Sequence, residues 1–353
     1  MHKTIMIEET LNLPQTLYID VRSPAEFSIG HIPSAINIPI FSNEERSEIG
    51  TLYKQVSIEK AKELGLAVAS RKLPDIVNQV NILYKTGRPI VVYCWRGGMR
   101  SKAIVTILTL MGIQVFQLSD GYKAYRRYVL DRLLNFRVIP KIIVLCGSTG
   151  VGKTALLQLL TAKDIPVIDL EKLANHRGSV FGKIGLGQAA TAQIFDATIL
   201  AALDRFAASP YIVVECESKR IGNVYLPDCL HQAMEAGIKI LVNADVEIRI
   251  SRLIDEYMNL NEKNSDEIMQ SIKALRKKLG AKKTDRLLSD FAKGEFRNVV
   301  RSLLVDYYDP LYGYDKLDEN KYSLTVNCND VKETSLQIIT YLEQLKEETS
   351  CKL

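Results

Sequence analysis

Short apolar runs alternate with helical segments along the first third of the chain. Leu17–Val21, Pro89–Tyr93 and Gln114–Leu118 are apolar, rich in β-branched or aromatic residues, and of strand length. Between the second and third runs, Arg100–Leu108 has the composition of a helix, and Gly112 ends it. Strand, helix and strand at this spacing predict parallel pairing through a right-handed crossover.

Two longer helical segments accompany these strands. Glu59–Asn81 is polar-rich and helical, and we expect Gly65 to interrupt it and Pro74 to mark a new start. Tyr122–Asn135 is a basic helix that follows the third strand. A domain boundary is therefore predicted near Phe136–Lys141.

The rest of the chain repeats the alternation. Lys141–Cys146 is a buried strand that runs into a glycine-rich loop. Further strands are predicted at Ile165–Asp169, Tyr211–Glu215, Lys239–Asn243 and Tyr322–Asn327, and a closing amphipathic helix at Val331–Glu347. The sequence thus predicts two α/β domains, residues 1–135 and 136–353, the second with a basic, mainly helical region at about 245–312.

Length and composition agree with two ordinary globular domains. A chain of 353 residues is too long for one comfortable core, and 47% hydrophobic with 25% charged residues excludes a disordered chain. The apolar runs are far shorter than a membrane span, and the first residues lack the basic start and apolar core of a secretory signal. We therefore expect a cytoplasmic protein without a membrane partner.

The cysteines do not form a recognisable metal or disulfide pattern. No CxxC pair and no zinc-like His spacing occurs, so we predict no metal site from them, and most are expected to be small buried residues. The six lie at positions 94, 146, 216, 229, 328 and 351. Cys94 is the exception.

Cys94 opens a loop, Tyr93-Cys94-Trp95-Arg96-Gly97-Gly98-Met99-Arg100-Ser101, between a strand end and a helix start. Backbone N–H groups at a helix N-terminus stabilise an anion, and Arg96 and Arg100 add positive charge, so both effects favour a nucleophilic thiolate at Cys94. Gly97 and Gly98 let the backbone curl around the sulfur. The alternative is a buried strand-end cysteine beside an accidental Gly-Gly pair. We predict Cys94, Arg96 and Arg100 as catalytic residues.

A complete G-x-x-x-x-G-K-[ST] motif follows the strand that ends at Cys146 and precedes a helix at Ala155–Leu160. Its residues, all predicted to bind a phosphate ligand, are Gly147, Ser148, Thr149, Gly150, Val151, Gly152, Lys153 and Thr154. The backbone N–H groups cradle phosphate oxygens, Lys153 donates to the terminal phosphate, and Thr154 is a candidate ligand for Mg²⁺. A nucleotide or any other diphosphate fits such a loop.

The carboxylate that often accompanies this motif is not obvious from the sequence. Asp169, Glu171, Glu215 and Glu217 each follow or end a predicted strand. Any of them is a candidate to order a metal or to act as a base, and each is equally plausible as a solvated loop carboxylate.

Positive charge is concentrated in two stretches. Ser271–Arg301 contains ten Lys or Arg against three Asp or Glu, and Tyr122–Lys141 contains six against one, although the whole chain carries only +5. Such stretches favour a polyanionic partner, with solvated helix faces as the alternative. The predicted RNA-binding residues are Lys123, Arg126, Arg127, Lys273, Arg276, Lys277, Lys278, Lys282 and Lys283. A helical stripe of apolar residues, Ile268, Ile272, Leu275 and Leu279, is expected to face a core.

The first domain resembles rhodanese-like domains. The resemblance is carried by Asp20–Phe27, by Gly30–Pro39 and by the Cys94–Arg100 loop, and it covers roughly residues 5–135. It implies that Cys94 is able to hold sulfur or selenium as a persulfide or perselenide, and that Asp20 and Arg22 order the loop.

A rhodanese-like domain joined to a P-loop domain resembles the tRNA 2-selenouridine synthases. Further matching stretches are Gly121–Arg126, Gly147–Thr154, Asp169–Ser179, Glu217–Gly222 and Tyr307–Tyr312, and Cys216 is the one departure, at a position where a polar residue is expected. Within Asp169–Ser179, His176 and Arg177 are candidates for phosphate contact, with a capping or surface role for His176 as the alternative. Tyr307, Tyr308 and Tyr312 either stack on bases or pack in the core.

This resemblance implies a substrate and two reactions. The substrate is the wobble 2-thiouridine in the anticodon loop of tRNA; the sulfur is geranylated from geranyl diphosphate and then replaced by selenium from selenophosphate. No tightly bound cofactor is implied, and an enzyme that supplies selenophosphate is an expected further partner. The competing hypothesis is a sulfurtransferase fused to a nucleotide-dependent small-molecule kinase. Oligomeric state does not follow from the sequence.

Overall fold

The computed structural model describes residues 3–258, 262–312 and 321–350. The chain forms two compact units, one comprising Met1–Asn135 with Asp196–Leu200, the other Phe136–Phe195 with Ala201–Leu353. Each unit is built around its own five-stranded sheet. Cys351 lies outside the described residues.

The first unit contains a fully parallel sheet in the order β1-β5-β4-β2-β3. Its strands are β1 (Lys3–Ile5), β2 (Leu17–Asp20), β3 (Ile36–Asn37), β4 (Ile90–Tyr93) and β5 (Phe116–Leu118). The central strand β4 is buried at every position, because helices cover both faces of the sheet. The strands β2, β4 and β5 confirm the sequence prediction, whereas β1 and β3 are too short to give a periodic signal.

Six helices surround this sheet: α1 (Ile7–Leu11), α2 (Pro24–Ile29), α3 (Asn43–Gln55), α4 (Ile58–Tyr84), α5 (Met99–Leu110) and α6 (Gly121–Leu134). The side chains of Ser23 and Ser42 cap the starts of α2 and α3, each in a reciprocal pair with a glutamate three residues on. α5 and α6 were predicted from the sequence; α3 was not.

Helix α4 corrects the prediction that Gly65 and Pro74 would divide the segment. It is one continuous helix of 27 residues with Pro74 inside it. A proline costs an interior helix a hydrogen bond and about 3 kcal/mol. Apolar side chains on both sides of Pro74, such as Val68 before it and Ile76 and Val80 after it, pack on the same core and offset that cost. The interruption was wrong because packing outweighs local preference.

The second unit also has a fully parallel sheet, in the order β12-β11-β6-β8-β7. These strands are β6 (Lys141–Cys146), β7 (Val167–Ile168), β8 (Tyr211–Glu215), β11 (Ile238–Asn243) and β12 (Leu324–Asn327); β9 (Arg220–Ile221) and β10 (Val224–Tyr225) form a separate antiparallel pair. All five sheet strands were predicted, with β7 shorter than expected. β6 lies at the centre of the sheet and leads into the phosphate loop.

The helices of the second unit fall into two groups. Those that flank the sheet are α7 (Lys153–Thr161), α8 (Leu170–Ala174), α9 (Ala192–Arg205), α10 (Asp228–Glu235) and α17 (Val331–Ser350). The helical region consists of α11 (Val246–Met258), α12 (Glu262–Ala274), α13 (Arg276–Leu279), α14 (Ala281–Ala292), α15 (Phe296–Leu303), a π-helical turn (Leu304–Tyr308) and α16 (Asp309–Tyr312). No helix in the described parts of the chain is long and apolar enough to cross a membrane.

The helical region has its own apolar core. Ile268, Ile272 and Leu275 are buried in it and Leu279 packs against it, as the helical spacing predicted. Tyr307 and Tyr308 also belong to this core, so their role is packing. The side chain of Tyr312 lies outside the described residues.

Candidate active site

The cysteine loop leaves the carboxyl end of β4, and Cys94 is its first residue. Cys94 is buried, with 3% of its surface exposed, and its Sγ lies 3.2 Å from the hydroxyl of Ser101. The amide of Gln117 donates to that same hydroxyl at 2.9 Å and to the carbonyl of Gly97 at 2.6 Å. The thiol therefore sits in a fixed polar setting at the start of α5, whose first N–H groups have no intrahelical partner.

Two glycines let the cysteine loop lie directly against the start of α6. Gly97 and Gly121 both have positive φ, at 60° and 57°. A Cβ at Gly121 would lie 2.2 Å from the carbonyl oxygen of Cys94 and 2.5 Å from the nitrogen of Gly97. The N–H of Tyr122 donates to the Cys94 carbonyl at 2.8 Å, and that of Lys123 to the Trp95 carbonyl at 3.0 Å. Backbone hydrogen bonds thus fix the loop on both sides of the thiol.

A buried ion pair supports the loop from beneath. Arg22 is 1% exposed, and its guanidinium donates to both carboxylate oxygens of Asp20. The guanidinium also lies 4.2 Å from the centre of the Tyr122 ring and within 6 Å of the Tyr93 and Trp95 rings. These contacts fit the ordering role that the family resemblance implies for Asp20 and Arg22.

The two arginines of the loop differ in their surroundings. Arg96 is exposed. Arg100 makes a bidentate pair with Glu26, at 2.6 and 3.1 Å. Burial alone would raise the pKa of Glu26, but the Arg100 contact leaves that pKa below its ordinary value, so the pair is ionic. From the sequence, both arginines were expected to favour a thiolate at Cys94. In the structure, the charge of Arg100 is balanced by the carboxylate of Glu26, 74 residues earlier.

The phosphate loop leaves the carboxyl end of β6 and joins α7. Gly147, Gly150 and Gly152 all have positive φ, and a Cβ at Gly147 would lie 2.2 Å from the carbonyl oxygen of Val242 on β11. Lys153 donates its ammonium to the loop's own carbonyls, at 2.7 Å to Gly147 and 3.3 Å to Ser148. All eight motif residues therefore form one strand–loop–helix turn, which is the arrangement that phosphate cradling requires.

Two arginines of α11 brace this loop, and no motif in the sequence predicts them. Arg249 is buried, donates to the carbonyl of Thr149 at 2.9 Å and forms a bidentate pair with Asp309. Arg252 donates to the carbonyl of Val151 at 2.8 Å and to that of Cys328 at 2.8 Å. Both arginines bind carbonyl oxygens, so they fix the backbone of the loop without using its N–H groups.

Three glutamates lie together near Lys153. The N–H of Glu171 donates to Glu215 Oε1 at 2.7 Å, while Glu215 Oε2 is buried without a hydrogen-bond partner among the described residues. Burial and then repulsion by Glu171 raise the pKa of Glu217 to about 8, although Lys153 opposes the shift. Burial likewise raises the pKa of Glu171 and that of Glu215. Uncompensated carboxylates beside a phosphate loop indicate a place where a proton or a cation is taken up.

Asp169 has a local structural role. Its side chain caps α8 by accepting from the N–H of Lys172 at 2.8 Å.

His176 packs between two glycines, since a Cβ at Gly182 or Gly222 would lie 2.7 Å from its ring. Burial, aided by Arg177, lowers the pKa of His176, which favours a neutral ring. Arg177 pairs with Glu256 at 2.5 Å and lies over the Tyr257 ring.

Cys216 makes a thiol contact with Cys146, the residue before the phosphate loop. A hydrogen bond with Cys216, together with burial, raises the pKa of Cys146. The departure from the expected polar residue therefore places two thiols side by side at the ends of β6 and β8. This contact is local to the second unit.

The nine residues predicted to bind RNA divide into paired and unpaired cations. Five have partners: Arg126 with Asp196, Arg127 with Asp120, Arg276 with Asp285, Lys283 with Asp306, and Lys278 with the Tyr307 hydroxyl and ring. Lys123, Lys273, Lys277 and Lys282 are exposed, and none forms an ion pair within the described ranges. These four lysines are the cations most available to a polyanion.

Together the two units define the class: an α/β domain with a cysteine loop at the end of its central strand, followed by a P-loop α/β domain. Residues 6–128 match the family profile of the rhodanese-like domain, and residues 140–347 match that of the tRNA 2-selenouridine synthase AAA domain. The predicted fold class is confirmed. The chain belongs to the tRNA 2-selenouridine synthase family.

Relatives that carry the family name align with nearly the whole chain. A tRNA 2-selenouridine synthase of Pseudomonas syringae pv. syringae is 32% identical, with 94% of this chain and 95% of the relative covered. That of Hydrogenovibrio crunogenus is 33% identical, over 92% and 96%. That of Alcanivorax borkumensis is 30% identical, over 86% and 91%. Matches that span both domains do not favour the alternative of a sulfurtransferase fused to a small-molecule kinase.

Proposed function

We propose that the protein modifies tRNA by replacing the sulfur of a wobble 2-thiouridine with selenium, in two steps that use geranyl diphosphate and then selenophosphate. The observation that carries the proposal is the presence of a supported cysteine loop and a complete phosphate loop in one chain whose relatives bear this name. We place the reaction in the cytoplasm, with selenophosphate delivered by a separate enzyme.

The first step is a prenyl transfer. The sulfur of 2-thiouridine bonds to C1 of the geranyl group, the C1–O bond breaks, and diphosphate leaves with the electron pair while the base releases its N3 proton. Negative charge on the leaving group grows during this step. We expect the backbone N–H groups of Gly147–Thr154 and the ammonium of Lys153 to stabilise that charge.

The second step exchanges the chalcogen. Selenium of selenophosphate bonds to C2 of the base, the C2–S bond breaks, and geranylthiol leaves after taking up a proton; water then takes the phosphoryl group. In this step Cys94 polarises the tRNA-bound intermediate while selenium passes directly from selenophosphate to C2, because the selenium of selenophosphate would need an oxidant to form a perselenide on Cys94. The buried position of its Sγ, 3.2 Å from Ser101, suits this role because bulk water is kept from the sulfur.

We expect any Mg²⁺ to be bound by the diphosphate together with a few protein oxygens, not by the protein alone. Among the described residues no group of three or more His, Cys, Asp or Glu has the arrangement of a metal site. Mg²⁺ commonly keeps several waters and binds through one or two protein oxygens plus substrate phosphates. Thr154 of the phosphate loop and the raised-pKa carboxylate of Glu217 are the oxygen donors that would hold it, and the ion would neutralise charge on the leaving diphosphate.

The tRNA backbone is proposed to contact the exposed lysines. Lys273, Lys277 and Lys282 lie in the helical region of the second unit, and Lys123 lies at the start of α6, next to the cysteine loop. Each phosphate neutralised by such a cation adds about 0.7 to 0.9 to the slope of log affinity against log salt. Replacing Lys277 and Lys282 together by Ala is therefore expected to lower that slope by roughly 1 to 2, whereas replacing the paired Arg276 lowers it less.

The test is mass spectrometry of digested tRNA after incubation with the purified protein. Geranyl diphosphate alone is expected to give S-geranyl-2-thiouridine, and geranyl diphosphate with selenophosphate 2-selenouridine. A salt-dependent gel shift with the same tRNA accompanies it. If no modified nucleoside forms with both substrates present and no shift occurs at low salt, the proposal is overturned.

A further inference from the structure

An apolar cavity of about 60 Å³ lies behind the phosphate loop, within the second unit. Its lining is almost wholly apolar and comes from the loop, from α11, α12 and α15, and from the π-helical turn. The lining residues include Thr149, Leu253, Tyr257, Ile268, Val300 and Leu304. Of these residues, only Thr149 was predicted from the sequence to bind a ligand.

The cavity is a gap between two apolar clusters. Val299 and Leu303 belong to the core of the helical region, whereas Leu253, Val300 and Leu304 belong to a smaller cluster with Ile250. Protein interiors are normally filled to the density of organic crystals, so an unfilled apolar gap costs stability. This unfilled gap is therefore a candidate binding site for an apolar group.

The cavity adjoins the site where a diphosphate would lie. Thr149 is in both the phosphate loop and the cavity wall. A Cβ at Gly150 would lie 3.2 Å from Leu253 Cγ, so a cavity-lining residue packs directly against the loop. The cavity wall and the phosphate loop therefore share Thr149 and a direct packing contact within the second unit.

The chemistry of the cavity selects the group that is attached to the diphosphate. A nucleoside carries a ribose and a base whose polar groups need hydrogen-bond partners, and nearly the whole cavity surface is hydrocarbon or aromatic. A branched hydrocarbon has no such need. The π-helical turn at Leu304–Tyr308 contributes to the wall, and turns of this kind are frequent at functional sites.

We infer that this cavity is the binding site for the hydrocarbon chain of an allylic diphosphate whose phosphates lie on the loop. The inference rests on the proposed prenyl transfer and names where its chain is held. Because one water-sized group needs about 10 to 15 Å³ by this measure, the cavity holds roughly four to six groups, the size of one isoprene unit. The first isoprene unit then spans from the loop, and the second fills the cavity.

A chain-length series tests the inference by calorimetry on the full chain. The probes are inorganic pyrophosphate and the dimethylallyl, geranyl and farnesyl diphosphates. Geranyl diphosphate is expected to bind at least about tenfold tighter than pyrophosphate, since burial of each CH₂ contributes to binding. The dimethylallyl compound is expected to resemble pyrophosphate, and farnesyl diphosphate to bind more weakly than geranyl. Equal affinities of pyrophosphate and geranyl diphosphate overturn the inference.

Two variants locate the chain. Val300→Phe fills the cavity and is expected to remove the advantage of geranyl diphosphate while pyrophosphate binding stays within about twofold. Val305→Phe is the matched control, because Val305 is 47% exposed and is absent from the lining. Leu304→Ala enlarges the cavity and is expected to shift the preference toward farnesyl diphosphate, a gain that misfolding cannot produce. An unchanged chain-length preference in both cavity variants overturns the inference.

The apolar groove of the first unit provides a further discrimination. It measures about 460 Å³ and lies between α3, α4 and α5. Ala103→Trp narrows it; if that change, rather than Val300→Phe, abolishes the geranyl advantage, the chain does not bind behind the phosphate loop. If pyrophosphate does not bind the unchanged protein, or binds the Lys153→Ala variant equally well, the proposed function is contradicted instead. The two failures are therefore distinguishable.

Discussion

The cysteine loop and the phosphate loop are built on the same plan but held in different ways. Each leaves the carboxyl end of a central parallel strand and ends in a helix N-terminus; the cysteine loop contains one glycine at positive φ and the phosphate loop three. The cysteine loop is fixed by backbone contacts with α6 and by ion pairs that are already complete. The phosphate loop is braced by side chains from α11, and its own lysine is bonded to the carbonyls of the loop.

This difference separates a permanent site from one that rearranges. No charged group of the cysteine loop needs to move for the Cys94 thiol to keep its setting, because Ser101 and Gln117 hold it. In the phosphate loop Lys153 already uses two of its three N–H donors on Gly147 and Ser148, so a phosphate receives all three only if those hydrogen bonds are exchanged. Changes to the first loop should therefore act on its geometry, and changes to the second on ligand affinity.

Replacing Cys94 with Ser has the largest expected effect. Formation of 2-selenouridine is expected to fall to background, since a hydroxyl is far less polarisable and far less nucleophilic than a thiol. S-geranyl-2-thiouridine should still form, because that step uses the phosphate loop. Mass spectrometry of digested tRNA measures both products. Cys229→Ser is the control, and normal 2-selenouridine in the Cys94 variant would remove Cys94 from the chemistry.

Replacing Gly121 with Ala tests whether backbone contact fixes the cysteine loop. A Cβ there would lie 2.2 Å from the Cys94 carbonyl oxygen, at a φ of 57°. We expect a loss of about 3 kcal/mol or more in the free energy of unfolding of the first unit, measured in denaturant. Gly98→Ala is the matched control: nothing lies within 4 Å of its Cβ, and a few tenths of a kcal/mol are expected. Equal stability of the two variants would contradict the role of the close approach.

Replacing Lys153 with Ala acts on the other loop. The loss of one charged hydrogen bond to a phosphate, about 1.5 to 3 kcal/mol, predicts weaker binding of geranyl diphosphate by roughly 10- to 100-fold. tRNA binding should change little. Calorimetry with each ligand measures the contrast, and Lys163→Ala, an exposed lysine just after α7, is the control. Unchanged diphosphate affinity would show that the loop binds another ligand.

Replacing Glu217 with Gln acts on the pH dependence of stability. The pKa of Glu217 is about 8 in the folded protein and about 4.3 in an unfolded chain. Between these values the folded state holds a proton that the unfolded state has released, so stability falls as pH rises from about 4.5 to about 8. Glutamine cannot ionise, and the variant should therefore lose less stability over this range.

Calorimetric unfolding between pH 5 and 8 measures the slope for the Glu217 variant. Glu333→Gln is the control, because Glu333 is exposed and forms no ion pair within the described residues. A Glu217→Gln curve parallel to that of the unchanged protein would show that the carboxyl is ionised when folded.

The strands and both loops could be predicted because their signals are local. An apolar run followed by Cys-Trp-Arg-Gly-Gly or by Gly-x-x-x-x-Gly-Lys-Thr sets strand, turn and helix within a dozen residues. The predicted new start at Pro74 was wrong for the opposite reason. Its helix is continuous because it packs on a core that is assembled from distant segments. Contacts between distant residues were also not predictable from local patterns. The partner of Arg100 is 74 residues away, and Arg249 reaches the phosphate loop from 100 residues away.

Charge counting identified the right stretches but not the right cations. Ser271–Arg301 is basic as predicted, yet Arg276 and Lys283 are each matched by an aspartate. Neither aspartate stands out in the sequence, because helical pairing depends on which faces meet. Arg249 and Arg252 were missed since a side chain that binds carbonyl oxygens leaves no pattern in the sequence.

The attachment of Lys153 to its own loop also bears on which anions the loop favours. An arriving anion meets an ammonium group that already uses two of its three N–H donors on carbonyls of the loop, and it gains those two only by exchanging them. A chloride ion or a single carboxylate offers few acceptor positions in return, whereas a diphosphate offers several oxygens at once. The resting contacts of Lys153 therefore weaken the binding of small monovalent anions more than that of a diphosphate.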